Sequence, residues 1–328
     1  MRGSVAVASL VVLAGAVVIG VAGPARAAED LAAAAGRDVL VAQRGGKPRD
    51  ERQPQEPSDS PPAVEPPRLT TLEASAVGVD GRVTVDALDA ATKCGISRGL
   101  NCDIELAIER GLFETGLRPR FPAAASCHDI DEGWAVSYTS KRERVQYHGG
   151  IDMPAPFGTP MIAAAAGTVV AKSAEERSYR GVEIILRHSP GDTGLPVWTY
   201  TQYAHFDQMP SLRIGERVRM GQELGPTGNS GFQMQRGSRQ RPRRPAIHFA
   251  VWFSTSPEWA LVRNVVVPVG GWWMDPLALY RKKAPFDSAS LKALPDGEKQ
   301  VPIPVIFEDG KAEPADTKLI WPYKCGRN

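Results

Sequence analysis

Ala246-Ile247-His248-Phe249-Ala250-Val251-Trp252-Phe253 is the stretch that decides the fold. Its density of β-branched and aromatic residues predicts a strand over 247–253. Side chains on a strand alternate with period two, so position 246 shares a face with His248. Working outward, residues 159–164 and 168–171 read as strands flanking Ala166-Gly167. Further strands are expected at 182–187 and 197–203, and no long helical periodicity appears after Trp134. These observations predict a mainly β protein built on a compact, mostly antiparallel sheet.

Three potential metal ligands lie on this frame. His148-Gly149-Gly150-Ile151-Asp152 places a nitrogen and an oxygen donor four residues apart, and His248 supplies a second nitrogen. Catalytic zinc usually takes three protein ligands and leaves a fourth position for water. Such a metal lowers the pKa of that water to about 7. Gly149 and Gly150 let the backbone turn tightly enough for both side chains to reach one ion. With five histidines in 328 residues, the spacing alone is weak.

The wider context is more specific. His148-Gly-Gly-Ile-Asp-Met and Gly158-Thr-Pro-Met-Ile-Ala-Ala-Ala-Ala-Gly-Thr-Val-Val resemble the lysostaphin-type zinc metallopeptidases that cut peptidoglycan cross-bridges. So do Tyr203-Ala-His-Phe, Ile214-Gly-Glu-Arg-Val-Arg-Met-Gly-Gln-Glu-Leu-Gly, Thr227-Gly-Asn-Ser-Gly, Ile247-His-Phe and Asp275-Pro-Leu, all in the family's order. The resemblance covers residues 141–283. It implies a β-sheet fold with a shallow groove and a zinc ion at its floor. It implies His148, Asp152 and His248 as ligands, and His205 as a catalytic histidine that steadies the water or the developing oxyanion. It also implies peptidoglycan as partner and a metalloendopeptidase activity.

The family's last motif reads His-x-His, and its first histidine acts in catalysis; here that position is Ala246. The alternative function is therefore a weakened family member that binds cell wall or regulates another hydrolase. Before Ala246 the family has a short glycine-rich turn, whereas this chain carries Arg236, Arg239, Arg241, Arg243 and Arg244. Arginine is no base at neutral pH, but it can stabilise an oxyanion or grip a carboxylate. One of Arg243 and Arg244 is expected to face the groove and partly replace the lost group.

The flanks supply context. Arg2, the apolar run 5–21 and Ala25-Arg26-Ala27 read as an export signal over 1–27, giving a periplasmic or extracellular protein with no remaining membrane span. Without it the chain holds 37 basic and 37 acidic residues, which gives no bulk reason to expect nucleic acid. Residues 28–68 are rich in proline and charge and read as a disordered linker. Residues 69–133 form a small N-terminal region with no aromatic residue before Phe113, and no chemistry is assigned to it. Within it, 77–85 reads as a hairpin around Asp80-Gly81, and 103–112 as a helix capped by Asp103.

The metallopeptidase-like domain is placed at 134–283. A β extension follows over 284–328, with a hairpin of 301–307 against 317–322. Four cysteines in an exported chain suggest two disulfides. Three pairings are possible, and the favoured one joins Cys94 to Cys102 and Cys127 to Cys325. His188 is expected at an exposed strand end, His128 to be ordinary, and Trp272 and Trp273 to cover the edge of the core.

Overall fold

Asp89 starts the first helix, α1 (Ala90–Ser97), its carboxylate accepting from the Thr92 N–H at 2.7 Å. Asp103 does the same for α2 (Ile104–Glu109), accepting from the Glu105 N–H at 3.1 Å. The sequence places α2 correctly, but the helix stops short of Leu112 because Gly111 turns the chain at φ 95°. These contacts belong to a computed structural model, which describes residues 81–99, 101–137, 146–174, 178–231 and 243–328. All lie in one compact unit, Glu65–Asn328. The export signal, the linker and the first arm of the expected 77–85 hairpin fall outside the described residues. Gly81 does turn, at φ 83°, but Val85–Ala87 is a 3-10 turn and Arg82 bridges to Trp259. The second arm is therefore not a strand.

The two helices do not form a separate, weakly cored lobe. Ile96, Ala107 and Leu112 are buried in the same core as the sheet. The Trp273 indole N–H donates to the Gly95 carbonyl at 2.9 Å. Two short strands, β1 (Arg118–Arg120) and β2 (Ala125–Ser126), complete this region.

The central sheet follows in the order expected from the sequence. Its strands include β3 (Ile151–Pro154), β5 (Gly167–Ala174), β6 (Val182–His188) and β7 (Trp198–Phe206), with β4 (Pro160–Ile162) set apart from it. After β8 (Arg217–Val218) and β9 (Glu223–Pro226) come β10 (Ala246–Ser254), β11 (Trp259–Val262), β12 (Val265–Pro268) and β13 (Trp272–Met274). The seven-stranded sheet runs β13-β10-β7-β6-β5-β8, with β3 paired to the first half of β10, and every pair is antiparallel. β4 pairs with β9 rather than with β5. β7 and β10 are buried along almost their whole length, because other layers cover both of their faces.

The C-terminal extension differs from expectation. β14 (Gln300–Pro302) pairs in parallel with β1, and β15 (Val305–Ile306) pairs with β16 (Ala312–Glu313). Residues 317–322 form no strand. Instead Ile320 N–H donates to Ala164 O and Trp321 N–H to Pro304 O, so the segment lies against the sheet domain. Burying Leu319, Trp321 and Tyr323 favours this over a free hairpin. The last strand, β17 (Gly326–Arg327), pairs with β2.

Disulfides join Cys94 to Cys102 and Cys127 to Cys325. Trp273 is buried, while Trp272 is partly exposed beneath the Arg110 guanidinium. Contrary to expectation, His188 is fully buried. It bridges Ala166 O at 2.6 Å and Thr201 Oγ1 at 2.7 Å, and burial pushes it down to about 4. A neutral, doubly bonded imidazole is the form that survives there. Among the described residues, no helix is long and apolar enough to cross a membrane.

Two predictions concern stability. The Cys127–Cys325 bond closes a span of 198 residues and the Cys94–Cys102 bond a span of 8. Chain entropy assigns about 5 kcal/mol to the first and about 2–3 kcal/mol to the second as ceilings. Urea unfolding of the two Cys→Ser pairs should therefore show the larger loss for Cys127/Cys325. Equal losses would contradict the stapling role.

The second prediction concerns Asp275, which accepts from Thr115 Oγ1 and from Leu277 N–H and is pushed by burial up to about 6. Its folded pKa lies above its ordinary 3.8, so the folded state holds the proton more tightly. That stabilisation is full below about pH 4 and is lost as pH rises through about 6. Asp275 alone should cost wild type up to about 3 kcal/mol across this window, read in thermal melts as the pH dependence of the stability difference from Asp275→Asn, in which the oppositely signed contributions of the buried histidines cancel. Asp275→Asn should not show that loss.

Candidate metal centre

Register builds the site. β10 pairs with β3 so that His248 stands directly opposite Asp152 and Ala246 opposite Pro154. Cross-strand partners share a face, so both ligand-type side chains point the same way. His148 reaches them through the Gly149 turn, at φ 75°. Gly150 has no room for a side chain: a Cβ there would lie 2.5 Å from His248 Cε1 and 2.6 Å from Nε2.

The donors converge closely. His148 Nε2 is 3.0 Å from Asp152 Oδ1, His248 Nδ1 is 2.9 Å from the same oxygen, and the two nitrogens are 3.1 Å apart. Tetrahedral ligands at about 2.0–2.1 Å from zinc stand about 3.3 Å from one another, so a small outward relaxation admits the ion. The surroundings fit as well. His148 Nδ1 faces Gly133 O at 2.9 Å, which directs the Nε2 lone pair to the centre. Arg243 Nη2 approaches the other carboxylate oxygen, Asp152 Oδ2, at 3.4 Å. Burial alone would raise the Asp152 carboxyl, but His148 and His248 together hold it well below the usual range. Burial pushes His248 down to about 4, leaving a neutral imidazole, which is the ligating form.

His205 arrives by a different device. In the ladder, Ala204 is the residue opposite His248, so simple alternation would turn His205 to the other face. β6 pairs Glu183 with Ala204 and Val182 with Phe206, which leaves His205 as the extra residue of a β-bulge, at φ 72°. The bulge re-aims its ring to 6.0 Å from the His248 ring. Its Nδ1 faces Ser230 O at 2.8 Å, and burial, reinforced by Arg243, pushes it down to about 3.

His148, His205 and His248 line one groove of about 450 Å³. Arg243 lines it too, whereas Arg244 turns away to an ion pair with Asp131. Ala246 is buried on β10, two residues from His248. Sequence reasoning missed one wall. Ser97, Arg98 and Gly99, from the region to which no chemistry was assigned, line the groove. Arg98 donates to Tyr147 O at 2.6 Å, and its guanidinium lies 5.0 Å over the Trp273 ring. The Cys94–Cys102 loop was the available signal, because it fixes the backbone on both sides of Arg98.

Fold and site together define an antiparallel β domain with a His/Asp/His metal-type centre in a groove. Residues 146–258 match the model of Peptidase family M23, over the stretch that carries the lysostaphin-type resemblance read from the sequence. Over 89 residues it is 38% identical to the peptidoglycan DD-endopeptidase ShyC of Vibrio cholerae, covering 27% of this chain and 18% of that protein. The chain thus spans less than a third of that relative. Among solved structures, the catalytic domain of a point mutant of the prophage-encoded M23 protein EnpA from Enterococcus faecalis is 23% identical. That match covers 46% of this chain and 94% of that one, with a TM-score of 0.29. The lysostaphin catalytic domain from Staphylococcus simulans is 22% identical over 41% and 81%, with a TM-score of 0.26.

The packing at Gly150 yields a direct test. Gly150→Ala should push the His248 ring aside and lower zinc affinity about 10–100-fold, the range seen when a ligand loses its support. Competition with a chromophoric chelator measures this, and an unchanged circular dichroism spectrum controls for folding. Undiminished affinity would contradict the geometry.

Proposed function

We propose that this chain is an exported zinc metalloendopeptidase that hydrolyses peptide cross-links of peptidoglycan. The observation that carries the reading is the convergence of His148, Asp152 and His248, whose donor atoms all lie within 4.8 Å of one another, with both histidines lining one groove beside His205. The likeness to a peptidoglycan DD-endopeptidase supports the substrate class. Export rests on the signal-like residues 1–27 and accords with two disulfides.

His148, Asp152 and His248 would hold the metal. Zinc bound there would bring the pKa of a water towards about 7 and polarise the scissile carbonyl. His205 is neutral at physiological pH. With Nδ1–H donated to Ser230 O, its Nε2 is left to accept a hydrogen bond from the attacking water. Arg243 supplies a fixed positive charge beside the centre, suited to the developing oxyanion. Its contact with Asp152 Oδ2 also orients the carboxylate.

Ala246 favours a second reading, in which the domain binds cell wall or regulates another hydrolase without cutting. Chelator-sensitive release of peptides from purified peptidoglycan separates the two. Wild type should release peptides and His148→Ala should not, whereas indistinguishable release would end the enzyme reading. Ala246→His should raise turnover, within the roughly 10²–10⁴-fold range of a positioned acid or base.

A further inference from the structure

Among the described residues, the groove is lined by four arginines, Arg98, Arg180, Arg243 and Arg263, and by one carboxylate, Glu183. Glu183 is already engaged, by Gln202 and by Arg180 at 3.6 Å. The nearby Asp152 carboxylate is likewise committed to two histidines and Arg243. Among the described residues that line it, the groove thus carries more positive than negative side chains, and a bound divalent metal would add to them. Low-dielectric walls strengthen such a field towards an anionic ligand.

Two of the arginines lie outside residues 146–258. Arg98 caps α1 and is held in place by Tyr147 O, the Trp273 ring and the adjacent Cys94–Cys102 bond. Arg263 is the exposed turn residue between β11 and β12, at φ 54°. The two segments meet: a Cβ on Gly99 would lie 3.8 Å from Arg263 Nη1. The groove is thus lined by Arg98, fixed by its neighbours, and by the exposed Arg263 on the segment that meets the Arg98 loop at Gly99. The planar fork of guanidinium donors matches a carboxylate in two-point contact.

We infer that Arg98 and Arg263 form a carboxylate subsite, so that the groove selects peptides bearing a free carboxylate near the bond to be cut. This deepens the proposed function and rests on the groove being the substrate site. Arg98 contributes a prearranged charge at little entropic cost, and Arg263 closes on the ligand. The selectivity belongs to this chain's own N-terminal loop and β11–β12 turn rather than to the segment shared with the family.

Binding tests it without requiring cleavage. Fluorescence anisotropy of the zinc-loaded chain would compare three labelled penta-alanine peptides: a C-terminal free acid, its amide, and an amidated version with one internal glutamate. The free acid should bind about tenfold more tightly than the amide, the step expected of one charge-assisted hydrogen bond. The glutamate peptide reports whether a side-chain carboxylate serves equally. Arg263→Ala should reduce the ratio of the amide's Kd to the acid's to less than about threefold. Arg263→Lys should retain part of it, and raised salt should shrink it. Equal affinities for acid and amide, or a full advantage persisting in Arg263→Ala, would overturn the subsite. Failure of the chain to cut peptidoglycan would remove the peptidase reading but would not alter this binding result.

Discussion

The pairing of His248 with Asp152 across β10 and β3 is the constraint on which the site depends. A one-residue slip in either strand would send one of the two side chains to the opposite face. Burial on both faces of β10 makes such a slip costly, because Phe249 and Trp252 would have to leave their packed positions. The same strand pairs with β7, so its register also fixes where the bulge at His205 falls. Packing of an apolar strand thereby determines the positions of three polar side chains.

Much of this was legible in the sequence, for reasons that differ by residue. β10 announces itself through its β-branched and aromatic residues, β7 through alternation, β6 through a mixed apolar and polar run, and Asp103 through its position before an amphipathic stretch. His148, Asp152 and His248 gain meaning from motif order. The bulge at His205 could not be read from local pattern, because it exists only as a mismatch between two ladders. His188 was misplaced for a similar reason. Leu186-Arg187-His188-Ser189 is a strand end, but the imidazole is buried against Ala166, in the bend before β5, and Thr201 of β7. The C-terminal hairpin was misread because β15 finds a nearer partner in β16, leaving residues 317–322 to cover Ala164.

The segments outside the family match do more than decorate the domain. α1 and its disulfide loop support the back of His148 through Arg98 and Trp273. A Cβ on Gly149 would come within 3.1 Å of that tryptophan and 3.3 Å of the Arg98 guanidinium carbon. At the other end, the Cys127–Cys325 bond, together with Trp321 and Tyr323, ties the tail to the sheet domain, with the Tyr323 hydroxyl 2.7 Å from Thr227 Oγ1. A site made from a few short strands is thereby held in one buried core.

On the proposed reading, Ala246 changes how protons must move. An arginine beside the centre can stabilise negative charge but cannot relay a proton at neutral pH. On this reading His205 is the group that takes the proton from water and returns it to the leaving amine. Its surroundings disfavour the imidazolium, since burial, Arg243 and His248 all act against it. A proton accepted there is weakly held and readily given up, which suits a group acting first as base and then as acid. The cost falls on the first transfer, because the same environment makes His205 a poor base. A histidine at 246 would share that load, whereas Arg243 can offset it only by stabilising the oxyanion formed in the same step.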